Sequence, residues 1–212
     1  MKTDDLIHAL SQDAAIREPA PDRTLAIALA VGGVAAAIVF ALLLGPREDF
    51  PEALHEARFV FKFILTGTLT AVAAMLASSF VRPTAPADAR GWLLLAPLAL
   101  IVGALALEMF ATPSGEWAEL LVGTNWLVCL TYVPIIAAAP LAALVAAMRR
   151  GAPTQPALAG ALAGLASGAL AAMLYAAHCP DDSPFFVAVW YGLAIGIVTV
   201  AGAFAGHRLL RW

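Results

Sequence analysis

Residues 24 to 44 read TLAIALAVGGVAAAIVFALLL, an apolar stretch that contains no charged residue and is followed by Gly45 and Pro46. The hydrocarbon core of a bilayer is about 30 Å thick, and about 20 helical residues cross it. Because lipid offers no hydrogen-bond partners, such a segment must satisfy its own backbone polar groups, as a helix does. The stretch therefore predicts a transmembrane helix.

Five further runs of this kind define the domain organisation. The chain is 62% hydrophobic and 13% charged, so lipid must surround most of it. We predict an all-α fold, a bundle of six transmembrane helices over residues 24–206 with no soluble domain. A tail of residues 1–23 precedes the bundle and a tail of residues 207–212 follows it. The predicted spans are about 24–44, 59–81, 92–111, 126–148, 157–177 and 185–206.

Glycines recur at four-residue spacing in the fifth and sixth spans. Small residues at this spacing let helix backbones approach closely in a membrane. We expect them to pack helices within one bundle rather than to form a dimer face. They are Gly160, Gly164 and Gly168 in the fifth span, and Gly192, Gly196, Gly202 and Gly206 in the sixth.

Basic residues are distributed unevenly between the two sides that six crossings would create. Cytoplasmic loops carry the excess of lysine and arginine, which predicts that both termini are cytoplasmic. The opposite side has Arg47 and Arg58 and many acids, and an acidic face argues against direct nucleic-acid binding there. The basic residues on the side of the tails are Lys2, Arg17, Arg23, Arg82, Arg90, Arg149, Arg150, Arg208 and Arg211.

Two charged residues lie near the outer ends of predicted spans. Lys62 is in the second span and Glu108 in the third, at similar depth, so they either form an ion pair or reach separately for the headgroups. No predicted span carries a charge near its centre. A small-molecule or ion transporter, the main alternative function, would be expected to place polar groups there.

The sequence contains two cysteines, which the predicted topology brings to the same side. Cys129 begins the fourth span, and Cys179 follows the fifth within LYAAHCPDDSPFF, residues 174–186. Three interpretations stay open: a structural disulfide, a redox-responsive or metal-responsive thiol pair, and two unpaired apolar residues. The neighbouring His178 and Asp181 favour a soft-metal or reactive site, with Cys129, Cys179 and His178 as tentative ligands.

The sequence contains no recognisable catalytic motif. The chain has no hydrolase elbow, no phosphate-binding loop and no H-E-x-x-H zinc motif. We therefore predict that the protein is not an enzyme. We predict no resident cofactor, although the cysteine site leaves room for transient binding of a heavy metal.

The N-terminal tail, MKTDDLIHALSQDAAIREPAPDR, contains a short amphipathic pattern. Leu6, Ile7 and Leu10 fall on one face of a helix of about three turns, which Thr3 or Asp4 caps. A helix of that length is marginal alone in water and needs a surface or a partner to order it. From the residues alone, a solvated tail with a frayed helix is the favoured interpretation.

Three stretches together resemble the NrsF family, the negative regulators of sigma F of proteobacteria, and the resemblance covers almost the whole chain. The stretches are MKTDDLIHAL at residues 1–10, VCLTYVPIIAAAPLAALVAAMRRGAPTQPALAGALAG at 128–164, and HCPDDSPFFVAVWYGLAIGIVTVAGAFAGHRLLRW at 178–212. The most specific part is the order of RRGAP, the glycine-rich span, HCP, WY and RLLRW. The N-terminal match is shorter.

The resemblance implies a regulator in the bacterial inner membrane. Such an anti-sigma factor holds an extracytoplasmic-function sigma factor at the membrane until metal or oxidant stress is perceived. Cys129, Cys179 and His178 would take part in perception on the periplasmic side. The cytoplasmic tail would then be the sigma-factor contact, through Asp4, Asp5, Leu6, Ile7 and Leu10, and a helix that orders only on a partner suits a reversible tether.

Overall fold

The computed structural model describes Thr3 and residues 21–81, 90–151 and 153–211. Within these ranges all regular secondary structure is helical, and there is no β-strand. The helices are α1 (Pro21–Leu43), α2 (Phe50–Ala53), α3 (Ala57–Phe80), α4 (Leu95–Ala111), α5 (Trp117–Val122), α6 (Trp126–Met148), α7 (Pro156–Ala176), α8 (Pro184–Phe186) and α9 (Gly192–Leu209).

Six helical segments in the described ranges are long and apolar enough to cross a membrane. They are α1, α3, α6 and α7, the segment Gly91–Ala111 that joins a 3-10 turn to α4, and Pro184–Leu209. The last joins α8 to α9 through a π-helical turn, Val187–Tyr191. The prediction of an all-α fold with six such helices is confirmed. An even number of crossings places residues 21 and 211 at the same end of the bundle.

Residues with restricted or unusual backbones mark the helix ends. After α1 the chain turns at Gly45, whose φ of 68° is a left-handed conformation that glycine adopts without steric cost. Pro156 and Pro184 occupy the first turns of α7 and α8, where a missing N–H costs no intrahelical bond. The Ser183 side chain caps α8 by accepting a hydrogen bond of 3.2 Å from the Phe185 N–H.

Helix α7 forms the centre of the bundle. It packs against α9, α3 and α6, while α1 covers the far side of α6. The third span is peripheral, because α4 contacts mainly α3 and the short helix α8. In the most apolar 18 residues of α7, 61% of the residues are buried, whereas the corresponding share for the third span is only 11%. Most of the third span therefore lies on the outside of the bundle.

The closest helix contact joins α7 to α9 through glycines. A Cβ atom built on Gly160 would lie 2.2 Å from the carbonyl oxygen of Gly202, so neither position has room for a side chain. The close packing predicted for the fifth span and for Gly202 and Gly206 is thus found. For Gly192 and Gly196 the prediction is wrong. Their Cβ positions face open space, because the residues of these turns that contact Gly164 and Gly168 of α7 are Ile195 and Val198, on another face of the helix.

Candidate functional site

Both cysteine thiols are buried in one apolar cluster at one end of the bundle. Cys129 lies in the first turn of α6, and Cys179 lies three residues after α7. Neither is exposed, and both are free thiols. Tyr175, Phe186 and Tyr191 belong to the same cluster. The fold therefore brings together two sulfur atoms from residues that are far apart in the sequence.

The segment that carries Cys179 is residues 177–183, which we call the thiol loop. Burial raises the pKa of the Cys179 thiol, because an apolar surrounding disfavours the thiolate, while the nearby Lys62 ammonium lowers it in part. The direction of the net shift is upward. The thiol at rest is therefore protonated and weakly nucleophilic.

Asp181 connects the thiol loop to the start of the helix that carries Cys129. Its carboxylate accepts hydrogen bonds from the backbone N–H groups of Thr124, at 3.1 Å, and Asn125, at 2.9 Å. A negative charge is favourable at the N-terminus of a helix, where free N–H groups and the helix dipole point at it. The Tyr175 hydroxyl donates a second link, 3.3 Å long, to the Asn125 carbonyl oxygen.

Lys62 is a fully buried cation at this end of α3. Its ammonium donates a hydrogen bond of 2.8 Å to the carbonyl oxygen of Cys179 and forms an ion pair with Asp182. It also lies 5.2 Å from the centre of the Phe59 ring, within the range of a cation–π contact. Two of these three partners come from the thiol loop.

Arg47 holds the same loop from the segment between α1 and α2. Its guanidinium pairs with Asp182 at 3.0 Å and forms a two-point contact with Asp49, and its backbone N–H donates to the Ala177 carbonyl oxygen. Asp49 raises the pKa of Arg47, and Arg47 lowers that of Asp49, since each favours the charged form of the other. We call Lys62, Arg47, Asp49 and Asp182 the ionic clamp.

His178 points to the first connection rather than to the cysteines. Its Nδ1 atom lies 3.0 Å from the carbonyl oxygen of Gly45, a contact that requires the proton on Nδ1. Within the described part of the chain, no group of three or more histidine, cysteine or acidic side chains is placed to hold a metal ion. The set Cys129, Cys179 and His178 therefore does not form a preassembled metal centre in this structure.

The pairing of Lys62 with Glu108 that the sequence suggested is replaced by two separate ion pairs. Lys62 faces the centre of the bundle and meets Asp182, whereas Glu108 pairs with Arg58 at 2.8 Å. Arg58 and Lys62 are one turn apart on nearly the same face of α3, so they differ in burial rather than in direction. Arg58, near the helix end, is half exposed and meets Glu108, whereas Lys62 is fully buried and meets Asp182.

Several parts of this arrangement were not predicted from the sequence. The roles of Asp182, Arg47 and Tyr175 depend on contacts between distant segments. The sequence showed a lysine near the end of an apolar span, but it left open whether that lysine pairs with an acid or reaches the headgroups. The residues predicted to contact a sigma factor, which are Asp4, Asp5, Leu6, Ile7 and Leu10, lie outside the described residues.

This architecture defines a bundle of six helices that are long and apolar enough to cross a membrane, with two buried thiols and the ionic clamp at one end. The family model "NrsF: Negative regulator of sigma F" matches residues 10–212, and the chain belongs to this family. It is 37% identical to the anti-sigma-F factor NrsF of Caulobacter vibrioides (strain NA1000 / CB15N) over all of both chains. It is 32% identical to the probable anti-sigma-F factor NrsF of Azospira oryzae (strain ATCC BAA-33 / DSM 13638 / PS), again over all of both chains.

No solved structure matches the chain. Membership in a family of negative regulators suggests a regulatory, non-enzymatic role.

Proposed function

We propose that this protein is an anti-sigma factor of the bacterial inner membrane. It sequesters an extracytoplasmic-function sigma factor and releases it when a metal or an oxidant reaches Cys129 and Cys179. The observation that carries the proposal is the similarity over the full length of both chains to an anti-sigma-F factor. Both termini then lie in the cytoplasm, and the thiol end of the bundle faces the periplasm.

The chemistry of the two thiols supports a role in perception. Oxidation by a reagent such as dichromate would remove two electrons and two protons from the pair and leave one S–S bond. Each dichromate ion accepts six electrons as its two Cr(VI) atoms become Cr(III), so it would oxidise three such pairs. A soft divalent cation such as cadmium would instead displace the two thiol protons and bind both sulfurs. Either reaction changes the distance between Cys129 and Cys179, and therefore the approach of α6 to the thiol loop.

The helix packing supports transmission of a change at the thiols to the other end of the bundle. Helix α6 carries Cys129 in its first turn and ends at Met148, and Arg149 and Arg150 follow it directly. Helix α7 begins at that same end and is interlocked with α9 at Gly160 and Gly202. A shift of α6 against this pair would move the face where the N-terminal tail holds the sigma factor, through Asp4, Asp5, Leu6, Ile7 and Leu10.

A sigma-dependent reporter tests the perception step. Cells with the wild-type protein should show reporter induction by cadmium and by dichromate. The variants Cys129→Ser, Cys179→Ser and the double variant should accumulate normally and lose the response. An unchanged response of the double variant, with normal accumulation on an immunoblot, would remove the thiols from the function.

Co-purification tests the partner. The full chain should capture a soluble sigma factor from solubilised membranes, and deletion of residues 1–18 should abolish capture while membrane insertion persists. A reporter that is active only in the cytoplasm, fused to either terminus, tests the orientation. Both fusions should be active. Retained capture by the truncated protein would contradict the role of the tail.

A further inference from the structure

The thiol loop forms one wall of a polar cleft, and neither cysteine lines that cleft. The cleft has a volume of about 510 Å³, and four consecutive residues of the loop, Pro180 to Ser183, line one side of it. Arg58 and Glu119 line other parts of the cleft. Cys179 immediately precedes this wall and is completely buried. Because Cys179 is buried and does not line the cleft, we expect a reagent in the cleft to reach it when the loop moves.

Lys62 is the anchor that this movement would affect most. Its hydrogen-bond and ion-pair partners, the Cys179 carbonyl oxygen and Asp182, both belong to the loop. An open loop would leave a buried ammonium without either partner, and an uncompensated buried charge is strongly unfavourable. Arg47 differs, because its side chain is partly exposed and keeps Asp49 when the loop opens.

We propose that Lys62 is the latch of the thiol site, a positioning residue whose buried charge keeps the thiol loop closed over Cys129 and Cys179. Loss of the ammonium removes the penalty for opening, so the loop opens more often. This inference deepens the proposed function and, in its effect on perception, rests on it. In that setting Lys62 sets the dose of metal or oxidant at which the protein responds.

The rate of thiol labelling tests the latch without a sigma factor. Membranes that contain the full-length protein are treated with a maleimide reagent that shifts the protein on a gel. Lys62→Met should label about 10- to 100-fold faster than wild type, the factor that a hydrogen bond to a charged group is worth in an opening equilibrium. The same measurement on Cys129→Ser and Cys179→Ser backgrounds assigns the rate to each sulfur.

Arg58→Met provides the matched control. It also removes a cation from α3, one turn away and beside the same cleft, but Arg58 pairs with Glu108 and not with the loop. Its labelling rate should equal that of wild type. A Lys62→Met rate no faster than the wild-type or Arg58→Met rate would overturn the proposal.

Two further variants separate a latch from a general loss of stability. Lys62→Arg keeps the cation and should label slowly. Lys62→Met leaves Asp182 paired with Arg47, whereas its combination with Asp182→Asn also removes that pair, so the double variant should label at least as fast as Lys62→Met. If Lys62→Met does not accumulate, the labelling rate of Asp182→Asn is measured instead, because this variant removes the carboxylate that pairs with Lys62. Slow labelling of Asp182→Asn would overturn the proposal.

The reporter keeps the two proposals distinguishable. Fast labelling of Lys62→Met together with an unchanged stress response of the Cys double variant would support the latch and refute perception through the thiols. Wild-type labelling of Lys62→Met together with a lost response of the Cys double variant would refute the latch and support perception.

Discussion

Asp181 accepts a hydrogen bond of 2.9 Å from the backbone N–H of Asn125, directly before the helix that carries Cys129. Asp181 is two residues from Cys179, so one carboxylate ties the surroundings of both sulfurs together. A change at either thiol must therefore strain or release this contact. The contact makes the site a single unit rather than two separate cysteines.

Removal of this contact should weaken the site measurably. We expect Asp181→Ala to lower the free energy of unfolding by about 0.5–2 kcal/mol, the usual range for a helix cap. Asp181→Asn keeps an acceptor oxygen but loses the charge, so its loss should be smaller. Thermal unfolding of the detergent-solubilised proteins measures both, and equal stability of Asp181→Ala and wild type would contradict the capping role.

Gly123 precedes α6 and lies against two residues of the thiol site, so a substitution there should disturb the site. Its φ is 57°, and a Cβ there would lie 2.5 Å from the Phe186 ring and 2.9 Å from the Asp181 carboxyl carbon. Gly123→Ala should therefore cost about 1–3 kcal/mol from strain and overpacking. Gly115→Ala, in the same connection, meets open space and should be neutral. Thermal unfolding compares them, and equal effects would refute the specific contact.

The α7–α9 interlock predicts a contrast between two glycines of one helix. A Cβ on Gly202 would lie 2.4 Å from the Gly160 carbonyl oxygen, so Gly202→Ala should separate the helices and destabilise the protein by about 1–3 kcal/mol. Gly196→Ala faces open space and should be neutral or stabilising, since alanine favours helix. Size-exclusion profiles after heating provide the measurement. Greater loss for Gly196→Ala would show that the interlock is incorrect.

The raised pKa of the Cys179 thiol predicts a particular pH dependence. In Cys129→Ser, alkylation of Cys179 should remain slow at about pH 8.5, where an exposed thiol is half ionised, and should rise only at higher pH. As the pH rises, the Cys179 thiol loses its proton in the unfolded protein before it does so in the folded protein. The contribution of this thiol to stability is therefore full below about pH 8.5 and falls as the pH rises further. The same protein in denaturant is the control, and coincident pH profiles would contradict the burial effect.

Hydropathy alone determined the number and type of the spans, and it located them closely. The run at 24–44 corresponds to α1, and the run at 126–148 corresponds to α6. Uncharged stretches of this length become helices in lipid whatever their neighbours are, because each helix satisfies its own backbone. The position of Lys62 near the end of a span left two possibilities open, an ion pair with Glu108 or a side chain that reaches the headgroups.

The tertiary structure alone decided which groups meet. Asp182 rather than Glu108 pairs with Lys62, and Gly202 rather than Gly196 contacts α7. Both outcomes depend on the rotation of each helix about its axis and on the path of residues 177–183. These are fixed by packing between distant segments, whereas a hydropathy pattern records only how much of each segment is apolar. The shared burial of Cys129 and Cys179 follows from the same packing.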